Sequence, residues 1–230
     1  MFRISIVILF VISFAHLAAQ DTVNIKDGKG RRQGYWRKLD SAGHKVYEGR
    51  FKDGLPDGEF RYYYPDGKLK TVSMVSNQGK RAVTTSYFRN GRKMAAGNYL
   101  NEKKDSTWQF FSESNSTIVS EESYQAGIIV GQSKVFYPEG GLSESHYYKN
   151  GIRDGLWEQY YLDGKLKLRG AFKAGEKQGA FKTYYNSGRT MMEGQYSQGH
   201  QDGEWIFYNE KGALSKKEIY ENGKLVKAEE

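Results

Sequence analysis

The sequence predicts an all-β fold, an elongated single-layer array of about eight 24-residue β-hairpin repeats forming a twisted ribbon. Three observations carry that prediction. The first is a set of glycine columns that share one register. Gly43, Gly67, Gly91, Gly140, Gly164, Gly188 and Gly212 stand 24 apart, except for one interval of 49 that holds two repeats and an inserted residue. A second column holds Gly127, Gly151, Gly175, Gly199 and Gly223, and a third Gly34, Gly58, Gly131, Gly155, Gly179 and Gly203. The second observation is alternation. Leu166, Leu168, Gly170 and Phe172 alternate with Lys165, Lys167, Arg169, Ala171 and Lys173, the period of two of a half-buried strand. The third is proline placement. Only three prolines occur in 230 residues: Pro65 and Pro138 beside hairpin turns and Pro56 in a return turn, so no strand loses a ladder donor.

In chain order, residues 1–20 differ from the rest: Met1-Phe2-Arg3, an apolar run from Ile4 to Ala15, then small residues at Ala18 and Ala19. This reads as a cleavable secretory signal peptide, the run being shorter than the roughly 20 apolar residues of a membrane span. An uncleaved N-terminal anchor is the alternative. Residues 21–32 form an N-terminal lead-in, 33–228 the array and 229–230 a C-terminal tail. Cysteine is absent, which agrees with export to a periplasmic, cell-surface or extracellular location and excludes a lipid anchor on cysteine.

Units begin near Gln33, Asp57, Ala82, Asp105, Val130, Asp154, Gln178 and Asp202. Within each, a turn such as Asp66-Gly67, Asn90-Gly91, Asp163-Gly164 or Ser187-Gly188 closes a hairpin, because glycine takes positive φ without a Cβ clash. A longer glycine-rich connection, as at Asn150-Gly151 to Asp154-Gly155, is expected to join one hairpin to the next. Strands of about five to seven residues, outward positions filled by Lys, Arg and Glu, and a charged C-terminus argue against an outer-membrane barrel. One hairpin buries too little to offset the ordering of its chain, so neighbours must stack. Sixteen strands at about 4.8 Å give a ribbon of about 75 Å.

Residues 47–60, running Tyr47-Glu48-Gly49-Arg50-Phe51-Lys52-Asp53-Gly54 and on to Asp57-Gly58-Glu59-Phe60, resemble the MORN motif. Glu193-Gly194-Gln195-Tyr196 through Asp202-Gly203-Glu204-Trp205 matches the same pattern. The 24-residue spacing and the Tyr-Tyr-x-x-Gly segments are closer to the bacterial MORN-repeat variant family, often described as antitoxin-like. The resemblance covers about residues 31–228 and implies a β-hairpin array used for binding or scaffolding, with no catalytic residue to carry over. Residues 82–130 depart from it: Ala82 and Ser106 replace Gly, Thr84 replaces an aromatic, and Asn115 stands at a turn-glycine position near the insertion. That stretch is expected to be bent, looser or specialised.

Aromatic columns are the best functional clue. Leu39, Tyr63, Tyr87, Phe111, Phe136, Tyr160, Tyr184 and Tyr208 are apolar or aromatic in every unit, a regularity that suggests core. The next position holds Tyr64, Phe88, Tyr137, Tyr161 and Tyr185. Consecutive strand residues point to opposite faces, so these five either pack along a two-sided sheet or form a partner-binding strip. Trp36, Phe60, Trp108, Trp157, Phe181 and Trp205 make a further column, read as core, with carbohydrate stacking as the sharper alternative. His44, His146 and His200 are scattered and read as surface residues. No metal-ligand spacing, phosphate loop or nucleophile constellation stands apart from the repeat, so no catalytic residue, metal or cofactor is expected.

The formal charge of +8 is spread among acidic neighbours, which points to a solvated surface and to no nucleic-acid partner. The expected function is an exported, non-enzymatic scaffold contacting a protein or cell-envelope component. Weak contact with an anionic membrane or a glycan, self-association through the end strands, and an antitoxin-like binding role are the alternatives.

Overall fold

The computed structural model describes residues 22–229; residues 1–20, read above as a signal peptide, lie outside the described residues, as do Asp21 and Glu230. Eight hairpins follow one another in a meander. Unit one pairs Arg32–Leu39 with Lys45–Lys52, unit two Leu55–Tyr63 with Leu69–Ser76, and unit three Arg81–Tyr87 with Lys93–Leu100. Unit four pairs Lys103–Phe111 with Ile118–Gln125, and unit five Gly131–Phe136 with Leu142–Lys149. Ile152–Tyr160 with Leu166–Lys173, Gly179–Tyr184 with Thr190–Ser197, and His200–Tyr208 with Leu214–Glu221 complete the series. Every pairing is antiparallel and joins neighbours in sequence, giving one open sheet. The lead-in supplies a two-residue edge strand, Ile25–Lys26, and the C-terminal residues Lys224–Glu229 supply the other edge.

The two kinds of turn exchange the roles that the sequence assigns them. Units are joined by two-residue turns in which both residues take positive φ, such as Asn150 at 51° and Gly151 at 83°. That is the tightest reversal a right-twisted hairpin allows. The turn inside each unit is the longer one. The Gly164 N–H donates to Tyr161 O at 2.9 Å and the Tyr161 N–H to Lys165 O at 2.8 Å, leaving only Gly164 left-handed. Main strands run six to nine residues, somewhat longer than expected, because bulged positions belong to them.

Those bulges explain the third glycine column. Pairing steps from His146–Trp157 to Tyr148–Arg153, so two residues of one strand face four of the other. Gly155 sits in that bulge at φ 121°. The same step recurs in units two, four and eight, and in units five and seven it splits off the stubs Ile128–Ile129 and Glu176–Lys177. Pro56 belongs here too: it lies in a strand opposite Phe51, beside the bulge and not in the return turn. Ser106 keeps the left-handed bend at φ 61°, and at the irregular closing turn the residue that bends is Ser116, at φ 63°, not Asn115. Unit three alone abandons the device. From Thr71–Ser86 to Ser76–Arg81 its register is unbroken, and the return connection lengthens to 77–80. Ala82 stands where most units have glycine, and the extra length moves to Asn77, Gln78 and Gly79, all at positive φ.

The core lies along one face, called here the front. Phe51, Phe60, Ala95, Trp108, Leu168, Phe181 and Trp205 are its buried apolar residues. The Trp36 column is therefore core as expected, whereas the Leu39–Tyr208 column is not. Its members are half-buried or, at Leu39, exposed, and they lie on the back face, where Tyr160 donates to Glu158 at 2.7 Å and Tyr208 to Glu193 at 2.8 Å. Recurrence of an apolar or aromatic residue along the column thus does not require burial, and at Tyr63, Tyr160 and Tyr208 the hydroxyl reaches a carboxylate instead. His146 is corrected likewise: it is buried at 4 % exposure, stacked on Trp157 at 6.1 Å, with burial pushing its imidazole pKa down. It stands where other units have glycine, and Ser133 across the ladder gives up the ring that would collide with it.

Candidate functional site

Two further 24-residue columns organise the front face. One is Gly49, Ser73, Gly97, Glu122, His146, Gly170, Gly194 and Glu218; the other is Phe51, Val75, Tyr99, Tyr124, Tyr148, Phe172, Tyr196 and Tyr220. The glycines lie beneath the rings. A Cβ on Gly194 would fall 2.4 Å from the Trp205 ring, and one on Gly97 2.3 Å from Trp108. Against each large ring stands a ring of the second column, edge to face: Tyr99 with Trp108 at 5.0 Å, Phe181 with Tyr196 at 5.2 Å, Tyr196 with Trp205 at 5.1 Å. Cations cap the ladder: Arg32 over Trp36 and Phe51, Lys104 over Trp108, and Lys177 over Tyr196.

All three columns fail together at one place. Ser73 replaces glycine, Val75 replaces the small-strand aromatic and Thr84 replaces the large ring, and the three are neighbours across one strand pair. An open groove of about 470 Å³ lies there. Its floor is three rungs of the ladder, Thr71 with Ser86, Ser73 with Thr84 and Val75 with Ala82. Two tyrosines wall it at diagonal corners, since Tyr62 is level with Thr71 and Tyr99 with Ala82. Both are held from behind, Tyr62 by Tyr47 at 6.0 Å and Phe60 at 6.5 Å, Tyr99 by Trp108. Burial, with Tyr47 as a second cause, raises the Tyr62 phenol pKa, so the ring stays neutral at physiological pH.

The floor is hydroxylic. Ser73 Oγ and Thr84 Oγ1 are 2.9 Å apart and nearly buried, at 8 % and 4 % exposure, and Thr71 Oγ1 and Ser86 Oγ are 3.2 Å apart. Each groove hydroxyl pairs with another hydroxyl, which gives hydrogen-bonding capacity without an activating base. Lys70, Lys80 and Glu102 stand at the rim. Lys80 occupies the place held by Arg32 and Lys104 in other units, but where those find a tryptophan it finds Thr84.

The predicted strip of Tyr64, Phe88, Tyr137, Tyr161 and Tyr185 lies elsewhere. All five are half-buried and stand one residue beyond a strand end. Four donate their hydroxyls up the array to the backbone 23 residues on: Tyr64 to Tyr87 O, Tyr137 to Tyr160 O, Tyr161 to Tyr184 O and Tyr185 to Tyr208 O, at 2.5 to 2.8 Å. Phe88 has no hydroxyl to give. The four tyrosines thus tie their closing turns to the next unit, leaving mainly ring faces to a partner. Of the two tyrosines that the groove brings together, only Tyr99 carries a signal in the sequence. Tyr62 belongs to no regular aromatic column, and Tyr99 is conspicuous only once Val75 is seen as the exception in its own.

Four segments, residues 56–77, 129–150, 153–174 and 201–222, match the family model described as the MORN repeat variant. They fall in units two, five, six and eight, so the chain carries MORN-variant repeats, a repeat type suited to binding scaffolds. Comparison with curated proteins gives no match. Among solved structures, the chain is similar to the crystal structure of TcdB2-TccC3-Cdc42 at 11 % identity, covering 82 % of this chain and 12 % of that one, with a TM-score of 0.22. It is similar also to that of TcdB2-TccC3-TEV at 12 % identity, covering 80 % and 13 %, with the same score of 0.22. The chain thus spans about an eighth of those structures, and superposition that poor carries neither fold nor function across.

Proposed function

We propose that this array of MORN-variant repeats is an exported, non-enzymatic scaffold that holds a protein or cell-envelope partner against its front face, with the unit-three groove as the point of engagement. The observation that carries the reading is the coincidence of Ser73, Val75 and Thr84. The three columns, which pack on one another in the other units, give way together here, while the hydrogen-bonded ladder beneath runs on without a break. A concave site with braced aromatic walls and a few polar groups is the common form of a binding pocket. The strip from Tyr64 to Tyr185 would extend the contact along the array through its ring faces. Because the capping cations Arg32, Lys104, Arg153 and Lys177 line the same face, an anionic membrane surface is the second reading.

Site-specific photo-crosslinking in the exporting cell tests the proposal. A benzophenone side chain at Tyr62 or Tyr99 is expected to give a discrete adduct, and one at Lys45 or Tyr63 on the back face is not. Equal labelling from both faces, or none from the groove, overturns it. Sedimentation with anionic vesicles that is lost on adding salt, with no adduct, moves the assignment to the membrane reading.

A further inference from the structure

We infer that the groove over unit three receives a sugar ring of a neutral glycan. This rests on the reading of that groove as the binding site and names the chemistry of its occupant.

The hollow lies where the array elsewhere places its own ring. In units two, four, seven and eight an aromatic side chain leans over the glycine of the strand before it: Phe60 over Gly49, Trp108 over Gly97, Phe181 over Gly170 and Trp205 over Gly194. At Ser73 the corresponding ring is absent, and the only other unit to lose its ring, at Ser133, has His146 moving in from the opposite side. No other ring takes its place over Ser73, although Ser73 and Thr84 are themselves only 8 % and 4 % exposed at the bottom of the groove. Tyr62 and Tyr99 are braced by the rings behind them, so the space stays open and keeps the dimensions of a ring-sized slot.

The floor decides what kind of ring fits. A hydroxyl carries one proton and two lone pairs, so each hydroxyl pair uses one of its two protons internally and has a second to offer to a ligand. The floor can therefore both donate to and accept from whatever covers it. An aromatic side chain of a partner protein would suit the walls but would strand these groups, at about 1–3 kcal/mol for each buried polar group left without a partner. A phosphate or carboxylate would meet Lys70 and Lys80, but also Glu102 and a floor without charge. A pyranose meets both demands. Its C–H faces lie against the Tyr62 and Tyr99 rings, and its hydroxyls, each donor and acceptor at once, complete the floor, while Lys70, Lys80 and Glu102 reach exocyclic oxygens from the rim. The volume, about 470 Å³, is within the range of small-ligand sites.

The test uses the full mature chain on a printed array of neutral, amino-sugar and acidic glycans, beside a filled variant carrying Ser73→Gly, Val75→Phe and Thr84→Trp. That variant places a ring over a glycine, as in units four and eight, on the unbulged pairing of unit three, and it is expected to keep its β-sheet circular dichroism and to melt no lower than the parent. Neutral glycans are expected to bind the parent and to lose at least about tenfold in affinity on filling the groove, a change of about 1.4 kcal/mol. Tyr62→Ala and Tyr99→Ala, each deleting one wall, are expected to weaken the same glycans. Absence of any neutral glycan signal above that of the filled variant overturns the inference, as does binding that survives filling. Saturable binding of the dipeptide Trp-Glu in place of any glycan also overturns it. If crosslinking from Tyr62 succeeds while the glycan array is blank, only the sugar assignment falls; if groove and back face crosslink alike, the scaffold reading falls with it.

Discussion

Replacing Gly194 by alanine tests the packing principle of the whole array. The added Cβ would lie 2.4 Å from Trp205 Cδ2 and 2.6 Å from Cε2, against an ordinary contact of about 3.5 Å or more. The ring must therefore retreat by about 1 Å. It has nowhere to go: Trp205 is 0 % exposed, with Tyr196 at 5.1 Å, Phe181 at 5.6 Å and Tyr220 at 6.3 Å around it. Overpacking costs typically about 1–3 kcal/mol, and this site belongs at the upper end; the loss of glycine's freedom in the unfolded chain returns about 0.4–1 kcal/mol. A net destabilisation of about 2 kcal/mol is expected. Gly170→Ala, whose Cβ would meet Phe181 at 3.1 Å, should cost less, and Gly28→Ala, with nothing within 4 Å, should cost nothing measurable. Urea unfolding followed by tryptophan fluorescence and circular dichroism gives the three values, with both signals needed because repeat arrays can unfold in parts. Equal effects at the three sites, or a Gly194→Ala change below about 0.5 kcal/mol, would refute the view that these glycines exist to let rings lie on the sheet.

Tyr161→Phe removes the 2.6 Å bond to Tyr184 O and should lower stability by about 0.5–1.5 kcal/mol in thermal melts, the difference Phe88 already represents in unit three. A loss much above 2 kcal/mol, or none, would mean that the hydroxyl is not what links successive turns. Acid should weaken unit one in particular. Burial pushes the Glu48 carboxyl pKa up, but hydrogen bonds from Tyr63 and Tyr35 and the charge of Lys45 outweigh it and hold the group at about 2 against its ordinary 4.5. A pKa depressed by folding gives stability that is fully present above the unfolded value and is lost as pH falls from about 4.5 towards 2, here up to about 3 kcal/mol for a side chain 13 % exposed. The urea midpoint should therefore fall more steeply over that window for the parent than for Glu48→Gln, and parallel slopes would remove the assignment.

The 24-residue period, the hairpins, the place of the insertion and the location of most turns were legible because they rest on local rules: glycine accepts positive φ, and a strand alternates with period two. The core role of the Trp36 column followed from the same regularity. The regularity misled at Tyr63 and its column mates, since a recurring ring on the half-covered back face looks in sequence like a recurring buried one. It misled again at His146, where burial depends on Ser133 across the ladder and on nothing nearby in the chain. Gly49, Gly97, Gly170 and Gly194 were overshadowed by the turn glycines, because a sequence does not distinguish a glycine needed for its φ from one needed for its missing Cβ.

What the sequence by itself determined is the unit and its repetition, properties of each residue's own backbone. Only the tertiary structure decided which face is buried, which turn is tight, and that Ser73, Val75 and Thr84 share one hollow between Tyr62 and Tyr99. The physical reason is register. Elsewhere a two-residue bulge offsets each return strand, but at unit three the offset vanishes, and that unbulged pairing lays the three departures side by side.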